Sequence, residues 1–135
     1  MTVLARLQRL QIRGDERGSL IALEDEDIGF PVRRVYYIFG TAPGVSRGGH
    51  AHRALEQLAI CVAGSCLFHL DDGLERQDIR LDRPDVGLRM GSMIWREMHD
   101  FSPDCVLLVL ASQPYDESDY IRDHREFLSL VRGAR

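Results

Sequence analysis

Two histidines two residues apart, His50 and His52, follow a glycine-flanked arginine in the stretch GVSRGGHAHRALEQ, residues 44–57. On a β-strand, residues i and i+2 project from the same face, so both imidazoles would enter one site. Such a pair can ligate a metal ion or move protons near neutral pH. The residues around the pair distinguish these two chemistries.

The spacing around the pair resembles the first half of the cupin motif, G(X)5HXH(X)3-4E(X)6G, whose histidines and glutamate ligate a metal. Glu56 fits the shorter gap, but Gly64 then comes one residue late; the longer gap fits Gly64 and puts Gln57 at the glutamate position. A neutral amide is a poor substitute for an anionic ligand. Trp95 and Arg96 stand about where the last histidine is expected, and a cation there repels a metal ion. We therefore predict proton-handling histidines without a metal or other cofactor.

The elements that must position this pair are short β-strands separated by turn signals, a pattern typical of sandwiches and barrels. The helical spacing of apolar residues over 123–131 predicts one C-terminal helix, with Gly133 as its stop. The fold class is thus predicted to be all-β, a jelly roll or small barrel. The predicted strands are 19–23, 32–39, 57–62, 66–71, 76–81 and 106–112, with a strand interrupted by a glycine turn within 87–95.

Length and composition fit one domain over residues 1–135, since the chain has 135 residues and is 44% hydrophobic. A net charge of −4 without a run of like charges argues against nucleic acid and against a polybasic membrane anchor, and leaves a small molecule as the expected partner. The apolar runs are too short for a membrane span, and the arginine-interrupted N-terminus lacks a secretory signal, so we expect a cytoplasmic protein. Each of the three cysteines sits in an apolar run, which favours reduced core residues.

Beyond the histidines, a series of motifs resembles the WxcM-like cupins that act as sugar 3,4-ketoisomerases on a dTDP-linked 4-keto-6-deoxyglucose. The likeness runs in one order from about Arg17 to Phe127. The resemblance implies a double-stranded β-helix (cupin) fold, no metal requirement, and a homodimer that exchanges N-terminal strands. The motifs are RGSLIALE, RRVYYIFG, RGGHAHR, LEQLAICVAGS, LDDG, RPDVGLRMGSMIWREMHDFSPDCVLLVLAS and YDESDYIRDHREF.

The reaction of that family moves a carbonyl from C4 to C3 of the hexose, so the site needs a base of near-neutral pKa and an oxyanion donor. The resemblance implies that His50 is the main acid/base and His52 its partner, in an order that could be reversed. Tyr37, the second aromatic residue of RVYY, resembles the family's active-site tyrosine. Tyr36 is its reserve, because strand alternation alone cannot choose which tyrosine lines a pocket.

Four further residues are predicted to bind substrate. Arg47, before two glycines that let the backbone come close, is expected to bind either the enediolate or the diphosphate, and Arg17 is a second diphosphate candidate. Trp95 and Arg96 are expected to frame the pocket mouth, with a core-filling Trp95 as the alternative. The acidic run YDESDY, residues 115–120, is interpreted as a cap rather than a catalytic element.

Two other functions stay open at this level. A related nucleotide-sugar 3,5-epimerase also uses histidine, but it would exchange the proton at C5 as well as at C3. A sugar-binding cupin without catalysis would fill its pocket without turnover. The 3-keto product of the isomerase would feed aminosugars of lipopolysaccharide, S-layer glycans or antibiotics.

Overall fold

Two antiparallel five-stranded sheets pack against each other in the computed structural model, which describes residues 5–133. The predicted domain limits at residues 1 and 135 lie outside the described residues. The strands are β1 (Arg6–Arg9), β2 (Arg13–Asp15), β3 (Gly18–Leu20), β4 (Arg34–Phe39), β5 (Arg47–His52), β6 (Gln57–Ala63), β7 (Cys66–Asp71), β8 (Arg76–Leu81), β9 (Val86–Met90), β10 (Trp95–His99), β11 (Val106–Ala111) and β12 (Tyr120–Ile121). The helices are α1 (Asp25–Ile28), a 3₁₀ turn (Glu117–Asp119) and α2 (His124–Gly133).

The first sheet has the strand order β1-β9-β6-β11-β4, and the second has the order β12-β5-β10-β7-β8. Apart from the consecutive pair β7 and β8, neighbouring strands in each sheet are not consecutive in the chain, as in a jelly roll. The strands β2 and β3 form a separate hairpin. This architecture confirms the predicted all-β class with a short C-terminal helix.

Period-2 alternation explains why these segments form paired layers. In β7, Phe68 and Leu70 are buried while His69 between them is partly exposed. Leu107 and Val109 of β11 meet them in the same core cluster from the other sheet. The apolar face of each sheet therefore covers that of the other.

The predicted strands 66–71 and 76–81 are confirmed at their observed bounds, and most others differ by one or two residues. The segment 87–95 was expected to hold one interrupted strand, whereas the structure has β9 before Gly91 and β10 from Trp95 onward. The strand predicted over 19–23 is shorter, because only Gly18–Leu20 pairs in the β2–β3 hairpin. The C-terminal helix is confirmed, and it starts at His124.

Helix α2 closes the open face of the second sheet. Its Phe127 is fully buried and packs with Trp95 of β10 and Ile121 of β12 in one cluster. The Trp95 and Phe127 ring centroids are 5.8 Å apart. The helices among the described residues are too short or too polar to cross a membrane.

The three cysteines come together in the core although their sequence positions are separate. The Cys61 sulfur lies 3.5 Å from that of Cys66 and 3.8 Å from that of Cys105, and all three thiols are free and buried. This confirms the prediction of core residues. Burial raises the pKa of the Cys105 thiol to about 12, so it stays protonated.

Candidate functional site

Strand β5 brings both histidines to the interior of the second sheet, between β10 and β12. Gly48 makes this possible, because a Cβ there would lie 2.9 Å from the Arg96 carbonyl oxygen and its φ is +84°. The close approach comes with a register shift between Arg96 and Glu97 on β10. As a result His50 is paired directly with Arg96.

His50 reaches a pocket of about 390 Å³ at the edge of the second sheet. Its ring centroid lies 4.9 Å from that of His52, and Tyr120 packs on both rings, at 5.0 and 4.4 Å. Polar and cationic side chains dominate the lining. The lining residues are Arg34, Tyr36, Ile38, Ser46, Arg47, Gly48, His50, Met98, Tyr120 and Arg122.

His52 lies behind His50 and is almost completely buried. Its Nδ1 is 3.1 Å from a carboxylate oxygen of Asp119, which also accepts hydrogen bonds from the backbone N–H groups of Ala54 and Leu55. The Asp119 carboxylate therefore fixes the tautomer and the ring orientation of His52. Two further ring nitrogens, Nδ1 of His50 and Nε2 of His52, are buried and lack a hydrogen-bond partner within the described residues.

A buried cation lies beneath the pair. The Arg96 guanidinium is 2% exposed, donates to the Gln57 side-chain oxygen at 2.5 Å, and donates twice to the carbonyl oxygen of Ile94. Gln57 in turn donates to the Tyr36 hydroxyl at 3.1 Å, which leaves the phenolic proton free to point into the pocket. Gln57, at the place of the metal-binding carboxylate in the cupin motif, thus bridges a guanidinium and a phenol.

Burial and this cation set the protonation states of the site. Burial lowers the pKa of His50 to about 4, with the Arg96 charge as the second cause. The same two causes, in the same order, lower the pKa of His52 to about 2. Burial raises the pKa of Tyr36. At neutral pH the site therefore holds two neutral imidazoles, a neutral phenol and a guanidinium.

The depressed pKa values predict a stability that falls as the solution becomes acidic. Below the ordinary histidine pKa of 6.5 the unfolded chain binds protons at His50 and His52, whereas the folded chain stays neutral there down to about pH 4. Stability from this source is complete above pH 6.5 and is lost as the pH falls toward 4. Urea unfolding can be followed by the fluorescence of the single tryptophan, Trp95. The free energy of unfolding should fall less between pH 7 and pH 5 in His52→Gln than in the wild type.

The half-exposed His99 provides a matched control for this prediction. The His99→Gln variant keeps His52, so its free energy of unfolding should fall between pH 7 and pH 5 as much as that of the wild type. Equal pH slopes in wild type and His52→Gln would contradict the prediction.

The structure brings together His50, His52, Tyr36, Arg47 and Arg96, and within this chain it places three other predicted residues away from the pocket. Tyr37 is 61% exposed on the outer face of β4, because alternation turns Tyr36 inward. Trp95 points away from the pocket, into the cluster under α2, which is the alternative stated above. Arg17 lies on the β2–β3 hairpin, ion-paired with Asp15 at 2.6 Å, and is absent from the pocket lining.

Arg96 also differs from its expected position at the pocket mouth. It lies below the histidines and acts on them through its charge, while the arginines that reach the pocket are Arg34, Arg47 and Arg122. Arg122 is held by Glu117, with Nε 2.7 Å from the carboxylate, and its guanidinium lies over the Tyr120 ring.

Sequence reasoning missed Asp119, Tyr120, Arg34 and Arg122. The YDESDY run was interpreted as a cap, and Asp116 does cap the 3₁₀ turn by accepting from the Ser118 N–H. The same run continues into β12, which pairs with β5 and so delivers Asp119 and Tyr120 to the histidines. The YDESDY motif occurs together with RGGHAH in the family likeness, so its carboxylate and its aromatic residue could have been predicted to lie near the histidines.

This arrangement suits proton transfer on an anionic substrate. A neutral imidazole at the pocket wall can accept a proton, a buried guanidinium stabilises a nearby oxyanion, and three arginines at the pocket can bind phosphate. The same guanidinium disfavours a divalent cation at the histidine pair by charge repulsion.

Comparison with known proteins agrees with this chemistry. A TDP-4-oxo-6-deoxy-α-D-glucose-3,4-oxoisomerase from Aneurinibacillus thermoaerophilus is 55% identical over 118 residues, which cover 87% of this chain and 85% of that protein. A 3,4-ketoisomerase from Helicobacter canadensis superposes with a TM-score of 0.92 at 47% identity, covering 95% of this chain and 97% of the other. A mutant 3,4-ketoisomerase from Thermoanaerobacterium thermosaccharolyticum, in complex with TDP-4-keto-6-deoxyglucose, superposes with a TM-score of 0.95 at 40% identity, covering 98% and 97%.

The family model described as "FdtA: WxcM-like, C-terminal" matches residues 4–132, nearly the whole chain. The match spans all the elements that build the pocket, from β4 to β12. The fold, the histidine pocket and the sequence likeness lead to one assignment: this chain belongs to the WxcM-like FdtA family.

Proposed function

We propose that this protein is a TDP-sugar 3,4-ketoisomerase, which converts a TDP-4-keto-6-deoxyhexose to its 3-keto isomer. The observation that carries the proposal is the neutral His50 imidazole, which lines a pocket beside three arginines and above the buried Arg96 cation. The relatives at 55% and 47% identity are named for this activity. The enzyme is thus an isomerase that interconverts a ketone and a neighbouring alcohol.

In the proposed mechanism His50 removes the proton from C3 of the sugar, and the electron pair of that C–H bond forms the C3–C4 double bond of an enediolate. The negative charge develops on the C4 oxygen, where the Arg96 field stabilises it. The His50 imidazolium then returns its proton to C4. The hydroxyl proton leaves O3 as the C3 carbonyl forms, and a proton reaches O4, so the product is an isomer of the substrate.

His50 is the primary base in this proposal because it lines the pocket, whereas His52 is nearly enclosed. His52 is held by Asp119, and its ring contacts that of His50 and positions it. The Tyr36 hydroxyl, which accepts from Gln57, is free to donate to a sugar oxygen. Tyr36 thereby takes the role predicted for Tyr37.

Arg47, Arg34 and Arg122 are proposed to bind the diphosphate of the substrate. Their guanidinium groups suit phosphate oxygens because the planar fork can donate two parallel hydrogen bonds. Arg122 would exchange its contact with Glu117 for one with phosphate.

The decisive experiment incubates EDTA-treated protein with TDP-4-keto-6-deoxyglucose in deuterated water and follows the sugar by NMR. A 3-keto product without added metal and without deuterium at C5 supports the ketoisomerase. Deuterium at C5 would indicate a 3,5-epimerase instead. Binding without any conversion would indicate a sugar-binding protein, and conversion only after a divalent metal is restored would overturn the metal-free mechanism.

We also propose that the protein is a homodimer with exchanged N-terminal strands, formed through the outer face of the first sheet. Val35, Tyr37 and Phe39 on the edge strand β4 are 54%, 61% and 66% exposed. They lie on a sheet whose neighbouring apolar groove, of about 470 Å³, includes Ile12 and Leu20 of the N-terminal segment. An exposed apolar surface of this extent is typical of an interface, and a second copy presents the same surface.

Light scattering during size exclusion tests the homodimer. The wild type should elute at twice the chain mass of 15.4 kDa, and Phe39→Asp should shift it toward the monomer. Leu74→Asp is the matched control, because Leu74 is 71% exposed on the turn between β7 and β8. A wild-type monomer, or an unchanged dimer in Phe39→Asp, would contradict this interface.

The same proposal includes a cytoplasmic location and a role in deoxyaminosugar formation for lipopolysaccharide or related glycans. Free thiols at all three cysteines agree with a reducing compartment. A 3-keto sugar is the form that an aminotransferase can use to place nitrogen at C3.

A further inference from the structure

A second group of histidines lies on the outer face of the second sheet, opposite to the face that carries Arg96. His69 of β7 is paired in register with Asp78 of β8 on one side and with Glu97 of β10 on the other. His99 follows Glu97 by two residues and therefore shares its face. The rings of His69 and His99 meet, with centroids 4.6 Å apart.

Each of these rings is held through one nitrogen by its own carboxylate. Nδ1 of His69 lies 2.5 Å from an oxygen of Asp78, and Nε2 of His99 lies 3.2 Å from an oxygen of Glu97. Glu97 is held in place by the indole N–H of Trp95 at 2.9 Å. Within residues 5–133 no hydrogen bond reaches the other ring nitrogens, Nε2 of His69 and Nδ1 of His99. A histidine with one nitrogen on a carboxylate and the other free is the usual arrangement of a metal ligand.

Exposure and charge both favour a cation at this place. The side chains of His69 and His99 are 40% and 34% exposed, so an ion can reach them from solvent. The carboxylates of Asp78 and Glu97 lie beside the two rings and supply negative charge there. Neutral imidazoles select borderline transition metals such as Zn²⁺, Cu²⁺ and Ni²⁺ over Mg²⁺ and Ca²⁺.

We propose that His69 and His99 form a surface site for a divalent transition metal ion, with Asp78 and Glu97 as the carboxylates that orient the two rings. Zinc binds imidazole nitrogen at about 2.0–2.1 Å, so two nitrogens on one ion lie no more than about 4 Å apart. The two rings are in contact, with centroids 4.6 Å apart, so their nitrogens lie in the neighbourhood that one shared ion requires. The bound ion would join β7 to β10 on the side of the sheet remote from the sugar pocket.

The three core cysteines are a poorer metal site, although their sulfur atoms lie within 4.8 Å of one another. Three thiolates around a divalent ion would leave a net negative charge inside an apolar cluster. At the histidine pair the ligands are neutral and the carboxylates already face solvent, so no such charge is buried.

Calorimetric titration of Zn²⁺ into EDTA-treated, dialysed protein at neutral pH tests the proposal. We expect one ion per chain, with affinity weakened about 10-fold or more in His69→Asn and in His99→Asn, and Mg²⁺ should not compete. Zn²⁺ should also raise the melting temperature of the wild type and leave that of both variants unchanged. His124→Asn is the matched control: His124 lines the same cavity as His69, but its ring bonds the Asp71 carboxylate, so this substitution should leave the Zn²⁺ affinity unchanged.

Two results would overturn the site. One is the absence of Zn²⁺ binding by the wild type. The other is binding that survives both the His69 and the His99 substitutions and disappears in His50→Asn, which would place the ion at the histidines of the sugar pocket. Turnover of TDP-4-keto-6-deoxyglucose by His69→Asn should equal that of the wild type, so this test does not depend on the ketoisomerase activity.

Discussion

His50→Asn should lower the turnover of TDP-4-keto-6-deoxyglucose about 10²-fold or more while the nucleotide sugar still binds. An asparagine amide has no basic nitrogen at pH 7, so the C3 proton loses its acceptor. The pocket should otherwise persist, because His50 makes a tilted ring contact with Tyr120 and is not part of the core clusters. Initial rates measured by NMR, with binding measured separately by calorimetry, separate the two effects.

His124→Asn is a suitable control for His50→Asn, since His124 bonds Asp71 near helix α2 and does not line the pocket. It should retain the wild-type rate. Wild-type turnover in His50→Asn would refute the role of His50, and turnover lost equally in both variants would indicate a general effect of removing a histidine.

Arg96→Met should lower turnover by about 10²–10³-fold, the range found when one preorganised electrostatic group is removed from an active site. The same substitution should raise the pKa of His50 from about 4 toward 6.5, because the charge of Arg96 is the second cause of its depression. The rise would be incomplete, since burial, the first cause, persists. NMR titration of the His50 ring in the folded variant measures this shift, and melting temperature checks the fold.

The control for this charge is Arg80→Met, which removes an exposed arginine that pairs with Asp100 on the outer face. It should leave both the rate and the His50 titration as in the wild type. A folded Arg96→Met protein with wild-type turnover would remove the electrostatic role of Arg96 from the mechanism. An unchanged His50 titration would show that the guanidinium does not act on the imidazole.

Much of the fold was predictable because strand alternation and turn residues are local signals. β7 ends and β8 begins at the predicted residues, because the turn signal of Asp71, Asp72 and Gly73 separates the two strands. Strand pairing is not local, and it decides the site: β12, with two residues, carries Tyr120 to the histidines only because it pairs with β5. A two-residue strand has no periodicity to read.

Sequence spacing was enough to predict the histidine pair and the lack of a carboxylate at Gln57. It was not enough to predict which face of a strand a side chain lies on. Tyr36 and Tyr37 differ by one register position, and only the pairing of β4 with β11 settles which of them faces the core. Arg96 was correctly predicted to lie near the histidines, but it is buried beneath them and does not frame the pocket mouth. Its burial depends on Gln57 and Ile94, two partners that lie far apart in the chain.

The bridge from Arg96 through Gln57 to Tyr36 has a consequence for how the enzyme becomes active. A cupin that depends on a metal acquires its positive charge after synthesis, and competes with the rest of the cell for the ion. In the proposed metal-free mechanism the charge is instead encoded in the gene: Arg96 is positioned when β6 and β10 come together, and a chelator cannot remove it. By that mechanism the enzyme would mature when it folds, and its activity would follow the folded population rather than the supply of a metal ion.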